Sequence, residues 1–162
     1  MMTRVRVATV VALLALAPPL FAREPAARAT QQAALPTSAR GAAATVDAFH
    51  AALRRGDTRS AAALLAEDAL IFEAGGVERT KAEYSAHHLA ADAAFSRSVP
   101  SVVTRRTGNS NGMLAWIASE GRTTGTYKGK AVDRITAETM VLRRVGRAWR
   151  IVHIHWSSAA KS

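Results

Sequence analysis

The chain changes its repeat length at Pro100. Before that point apolar residues recur at helical spacing, as in Val46, Phe49 and Leu53 with Ala42 one turn earlier. After it they alternate, one in and one out, as strands do. Helices first and an antiparallel meander second is an α+β arrangement. The sheet then needs one covered face, and only the helices can cover it. The expected fold is a cone of three N-terminal helices packed on a curved, mostly antiparallel sheet.

Local signals place the elements. Gly56 ends the first helix as a left-handed cap. Asp57 caps a short second helix carrying Ala61, Leu64 and Leu65. Ala69-Leu70-Ile71-Phe72-Glu73 is short, apolar and partly β-branched, so it predicts a strand, and Gly75-Gly76 turns the chain. Thr80-Lys81-Ala82-Glu83 is a capping box, with Glu83 reaching back to the cap amide, and predicts a third helix from Lys81 to about Phe95. Strands are expected near 101–107, 113–124, 135–145 and 148–157. Asn109 to Gly112 supplies one turn, Lys128-Gly129-Lys130 lies in a longer one, and Val145-Gly146-Arg147 makes a tight hairpin.

The N-terminus carries a different kind of information. Arg4 and Arg6 precede the apolar run from Val7 to Ala17, and Pro18 and Pro19 close it. A basic start, about eleven apolar residues and a small-residue site is the pattern of a secretory signal. The run is too short for a stable membrane span, which needs roughly twenty residues. Leu20-Phe21-Ala22 is a cleavage site and Ala27-Arg28-Ala29 a second one, so residues 1–22 are expected to be a signal peptide, 23–37 a leader poor in large apolar residues, and 38–159 the folded domain. A periplasmic or secreted location follows as the expectation. The mature protein is expected to have no membrane span.

Charge and cysteine content narrow the chemistry. The net charge of +10 comes almost wholly from arginine, but the basic residues form no dense run and no nucleic-acid motif appears, so no nucleic-acid partner is expected. With no cysteine in the chain, disulfides, thiol catalysis and thiolate metal sites are excluded together.

The segment Glu138-Thr139-Met140-Val141-Leu142-Arg143-Arg144, then Gly146, then Trp149 to Ser157 with its Trp-x-x-x-His-x-His pattern, resembles the end of the calcium/calmodulin-dependent kinase hub domain. The Phe49 helix ending in Gly56-Asp57, and Phe72-Glu73 after it, agree in order. The resemblance covers roughly residues 40–158 and implies membership of the nuclear transport factor 2-like superfamily, nearest its SnoaL-like and hub-like bacterial proteins. That superfamily includes isomerases, dehydratases, cyclases and non-catalytic modules, so fold alone does not choose a function.

The resemblance also implies that Ile154 and Trp156 face a pocket, with Val152 on the same side, while His153, His155 and Ile151 face away. Where the hub pocket has arginines, this chain aligns Trp156, Met140 and Glu120. The expected pocket comprises Phe72, Glu73, Tyr84 and His88 from the first half, and Trp116, Glu120, Glu138, Met140, Ile154 and Trp156 from the second. It suits a small apolar or cationic molecule and calls for no cofactor.

Three functions remain open. One is an exported binding or assembly domain, in which the carboxylates pair with Arg122, Arg134 or Arg144 and only order the pocket. Another is an isomerase, cyclase or dehydratase on a small carbonyl compound, with Glu73, Tyr84, His88 and Glu138 as acid–base candidates. The third is a metal site on His153 and His155, two apart on a strand, completed by His87, Glu73 or Asp92. His50, alone on its helix near Gly56, reads as a surface or capping histidine. An apolar outer sheet face at Val141, Val145 and Ile151 suggests a homodimer.

Overall fold

The computed structural model describes residues 35–161; the expected signal peptide and most of the leader lie outside them. A 3-10 turn at Thr37–Ala39 leads into α1 (Arg40–Arg55) and α2 (Thr58–Leu64). Then come β1 (Leu65–Glu73), β2 (Gly76–Glu78), α3 (Lys81–His87) and α4 (Leu89–Ser98). Four long strands complete the order: β3 (Ser101–Ser110), β4 (Leu114–Tyr127), β5 (Lys130–Val145) and β6 (Ala148–Ala160). The sheet order is β2-β1-β6-β5-β4-β3, antiparallel throughout except where β1 runs parallel to β6. Among the described residues no helix is long and apolar enough to cross a membrane.

The helix signals act as the sequence implies. Gly56 takes φ 73° and its amide donates to Ala52 and Leu53, closing α1. Asp57 accepts from the Ser60 amide at the start of α2, and Thr80 from the Glu83 amide at the start of α3. Glu83 returns the favour one residue earlier than expected, accepting from the Arg79 amide at 2.7 Å.

Three expectations are corrected. The single third helix is two, broken at His88, where φ widens to −114°. Gly75-Gly76 is not a plain turn: Ala74 and Gly75 both have positive φ, and Gly76 already pairs with Glu73 to open β2. The β4–β5 connection is short, with Lys128 and Gly129 at φ 49° and 76° and Tyr127 facing Lys130. That is the two-residue hairpin whose twist matches the strands, and it fixes the register of the rest of the sheet.

α1 lies over the sheet through Val46, Phe49 and Leu53, joined in one core by Tyr84, Leu89, Ile117, Met140, Leu142, Ile151 and Ile154. Leu35 packs against this core too. Ile151 was expected on the outer face. The β5–β6 register instead slips between Val141 and Leu142, leaving Val152 as the extra residue, so Ile151 and Ile154 both turn inward.

Candidate active site

A cavity of about 950 Å³ opens between the helices and the inner face of the sheet. α1 contributes Asp47, His50 and Arg54, three polar residues at helical spacing beside its apolar stripe. The sheet supplies Glu73 from β1, Arg106 from β3, Ser119 from β4, Glu138 from β5 and Trp156 from β6. Asp92 enters from α4.

Glu138 and Trp156 are cross-strand partners, so their side chains stand side by side on the inner face. Trp156 stacks on Phe49, with ring centroids 6.4 Å apart, and its indole Nε1–H donates to Glu138 Oε2 at 2.8 Å. His50 Nε2 approaches the same oxygen at 2.7 Å. The Glu138 side chain is only 11% exposed, and its other oxygen, Oε1, is buried with no hydrogen-bond partner. Burial pushes this carboxyl up, but the His50 hydrogen bond and charge, the Trp156 donor and the Arg106 charge outweigh it and hold Glu138 below the usual range. Glu138 therefore stays ionised and holds the imidazole with Nε2 as the donor, leaving Nδ1 as the basic nitrogen. His50 remains 27% exposed, within reach of a ligand.

Arg106 is the fixed cation of the site. Its side chain is 14% exposed, its Nε donates to Ser119 at 3.1 Å, and its Nη1 pairs with Asp47 at 2.5 Å.

A second acidic group has the opposite character. Burial raises the Asp92 carboxyl, against a hydrogen bond from Tyr84 and the charge of His88. Glu73, at the rim, is raised by burial and by Asp92, with His88 opposing. Tyr84 is fully buried, donates to Asp92 at 2.7 Å, and is itself pushed well above the usual phenol range by burial and by Asp92. Carboxyls driven in opposite directions within one cavity divide naturally into proton donor and fixed anion.

Several expected pocket residues sit elsewhere. Ser119, not Glu120, pairs with Glu138, which leaves Glu120 64% exposed beside Arg105 at the edge of the cavity. Trp116 shares that parity and is 43% exposed. Phe72 lies on the outer side of β1, edge-on to His153 and His155. Met140 and Ile154 face inward but are sealed in the core below the cavity. Tyr84 is also sealed, touching the site through Asp92. His88 is exposed and its Nδ1 contacts the buried Glu78, not the cavity. Of the expected set, Glu73, Glu120, Glu138 and Trp156 line the cavity. The expected carboxylate–arginine pairs are replaced by His50–Glu138, while Arg122 pairs with Asp133.

His153 lies outside the cavity, whereas His155 is among the residues that line it. The His153 Nδ1 lies 3.0 Å from the Leu70 carbonyl, and the Phe72 ring stands against both imidazoles. Among the described residues no group of three or more metal-ligating side chains gathers anywhere.

Helices over one face of a six-stranded sheet, enclosing a cavity of acid–base side chains, define the nuclear transport factor 2-like, cystatin-like class. Within it, the chain belongs to the SnoaL-like domain family, which matches residues 42–161. A candidate ketosteroid isomerase from Shewanella frigidimarina is 35% identical, over 76% of this chain and 100% of its own, with a TM-score of 0.71. A candidate calcium/calmodulin-dependent protein kinase II association domain from Xanthomonas campestris is 26% identical, over 82% and 97%, with a TM-score of 0.68. A candidate dehydratase of the NTF2-like family from Streptomyces avermitilis is 17% identical, over 77% and 98%, at a TM-score of 0.65, and shows the fold alone. No curated protein matches the chain.

Proposed function

We propose that this is an exported acid–base enzyme that isomerises or dehydrates a small carbonyl compound in the 950 Å³ cavity. The observation that carries the reading is the His50–Glu138 pair: a buried anion orienting a part-exposed imidazole. A carboxylate held this way fixes the tautomer and stabilises the imidazolium that forms when the ring takes a proton. A purely structural site gains little from leaving Glu138 Oε1 buried and unpartnered, since such an oxygen costs stability.

In this scheme His50 Nδ1 removes the proton α to the carbonyl. Arg106 stabilises the enolate oxygen as its charge develops. The raised carboxyls, Asp92 and Glu73, return a proton: to the γ-carbon in an isomerisation, or to a departing β-hydroxyl, which leaves as water, in a dehydration. The candidate ketosteroid isomerase from Shewanella supports this class of chemistry. The signal-like N-terminus supports a location outside the cytoplasm, and N-terminal sequencing of the mature protein from a periplasmic fraction tests that part separately.

The test of the chemistry is exchange of α-protons for deuterium, followed by NMR, over a panel of small ketones and β-hydroxy carbonyl compounds. Wild-type protein should catalyse exchange on at least one. His50→Gln, folded by circular dichroism, should abolish it. Exchange that persists undiminished in that variant would overturn the assignment. Tight binding with no exchange would return the chain to the binding-module reading.

A further inference from the structure

A second concavity, of about 680 Å³, shares no lining residue with the first. Its wall is the β5–β6 hairpin, which turns at Gly146-Arg147 with Val145 facing Ala148. That turn gathers Arg144, Arg147 and Arg150 around one opening. Arg105, Arg106, Arg122 and Arg143 each meet a carboxylate, whereas the other arginines of the described residues, inside and outside this groove, do not. Among the described residues no acidic side chain lines the groove. Arg144 rests over the Trp149 ring at 5.9 Å and donates to the Gly146 carbonyl, and Arg150 donates to the Trp149 carbonyl. These neutral partners place the guanidinium groups without cancelling their charge.

The facing wall is the start of α1, with Thr37, Ser38 and Gly41. This sixteen-residue helix has no acidic residue in its first turn and no side-chain cap, and the 3-10 turn before it runs into it, with the Arg40 amide donating to the Thr37 carbonyl. Gly41 lets the Trp149 indole lie close: an added Cβ would sit 3.0 Å from Nε1. The hairpin wall thus presents positive charge, and Thr37 and Ser38 face it with neutral hydroxyl groups. Three like charges gathered together repel, and the arrangement is eased by an anion between them.

We infer that this groove binds the phosphate group of a small phosphorylated molecule. A tetrahedral dianion can take forked donors from several guanidinium groups at once, which one planar carboxylate cannot. The volume exceeds what a lone phosphate fills, leaving room for the organic part beside Trp149. The inference is independent of the acid–base reading, because the two cavities share no residue.

The experiment is calorimetric titration of the full chain, in a phosphate-free buffer of fixed ionic strength, with inorganic phosphate, glycerol 3-phosphate and acetate. Saturable one-to-one binding of phosphate or its ester is expected, with acetate far weaker. Tighter binding of the ester identifies a phosphorylated molecule as the ligand; equal binding identifies the free ion and would overturn the organic part of the inference. The double variant Arg147→Glu/Arg150→Gln should lose at least about tenfold in affinity. Arg59→Gln, which removes a charge outside the groove, should lose little. No saturation, or equal losses in the two variants, would show mere attraction to a basic protein and overturn the site. Circular dichroism of each variant separates loss of binding from loss of fold.

Discussion

Removing the His50 imidazole should destabilise the protein in a manner that depends on pH. In wild type, Glu138 Oε2 takes one hydrogen bond from His50 at 2.7 Å and one from Trp156 at 2.8 Å, and Oε1 takes none. His50→Ala leaves an anion that is 11% exposed with a single neutral donor. A hydrogen bond to a charged group is worth about 1.5–3 kcal/mol, and breaking a buried pair costs about 3–5 kcal/mol. His50 is part-exposed, and water can enter the space it leaves, so a loss of about 2–4 kcal/mol is expected at neutral pH. The sign with pH follows from the shift. Glu138 is held below its ordinary value, so its contribution is present above the unfolded value and lost as pH falls through the folded one. Without His50 the burial effect, the largest single influence, should raise the carboxyl instead. Stability of the variant then declines as pH rises above the unfolded value. The gap between the two proteins should widen from about pH 4 to neutrality. Urea unfolding followed by tryptophan fluorescence across that range measures it. In a double-mutant cycle, His50→Ala in a Glu138→Leu background should cost about 2 kcal/mol less than in wild type. A gap that stays flat with pH, together with no coupling in the cycle, would refute the pairing.

Other perturbations test neighbouring parts. Tyr84→Phe removes the hydroxyl that donates to Asp92 in a buried setting and should cost about 1–3 kcal/mol. Because it also lets the Asp92 carboxyl rise further, that loss should be greater at neutral pH than in acid, as thermal melts at two pH values would show. Ala74→Gly relieves a left-handed residue at φ 49° in the β1–β2 turn and should gain up to about 1 kcal/mol by the same unfolding measurement. Leu114, Trp116 and Val145 leave an apolar stretch on the outer sheet face, the surface proposed for a homodimer. Trp116→Glu should shift the mass seen by light scattering from dimer to monomer; an unchanged mass would remove that face from the account.

The fold was legible because its signals are local. The change of period at Pro100, the Gly56 cap and the two-residue turn at Gly146-Arg147 each act within a few residues. The site was less legible because it depends on register. Glu120 is expected in the pocket from its alignment with an arginine of the hub domain, and Trp116 is expected there with it. Two turn residues instead put Ser119 opposite Glu138, and a one-residue change moves every side chain of β4 to the other face. The bulge at Val152 does the same to Ile151. His50 reads in the sequence as a lone surface histidine, although Asp47, His50 and Arg54 form a polar stripe beside Val46, Phe49 and Leu53. Arg106 gave no local signal at all: its partners, Asp47 and Ser119, are distant in sequence and meet only after folding.

The most direct measurement of the central claim is a side-chain nitrogen–proton NMR correlation of His50, compared between wild type and Glu138→Gln. A proton fixed on Nε2, shifted downfield by the carboxylate and altered in the variant, is the expected spectrum. An imidazole that exchanges freely between its two nitrogens, and looks the same in both proteins, would mean that the buried anion does not hold it.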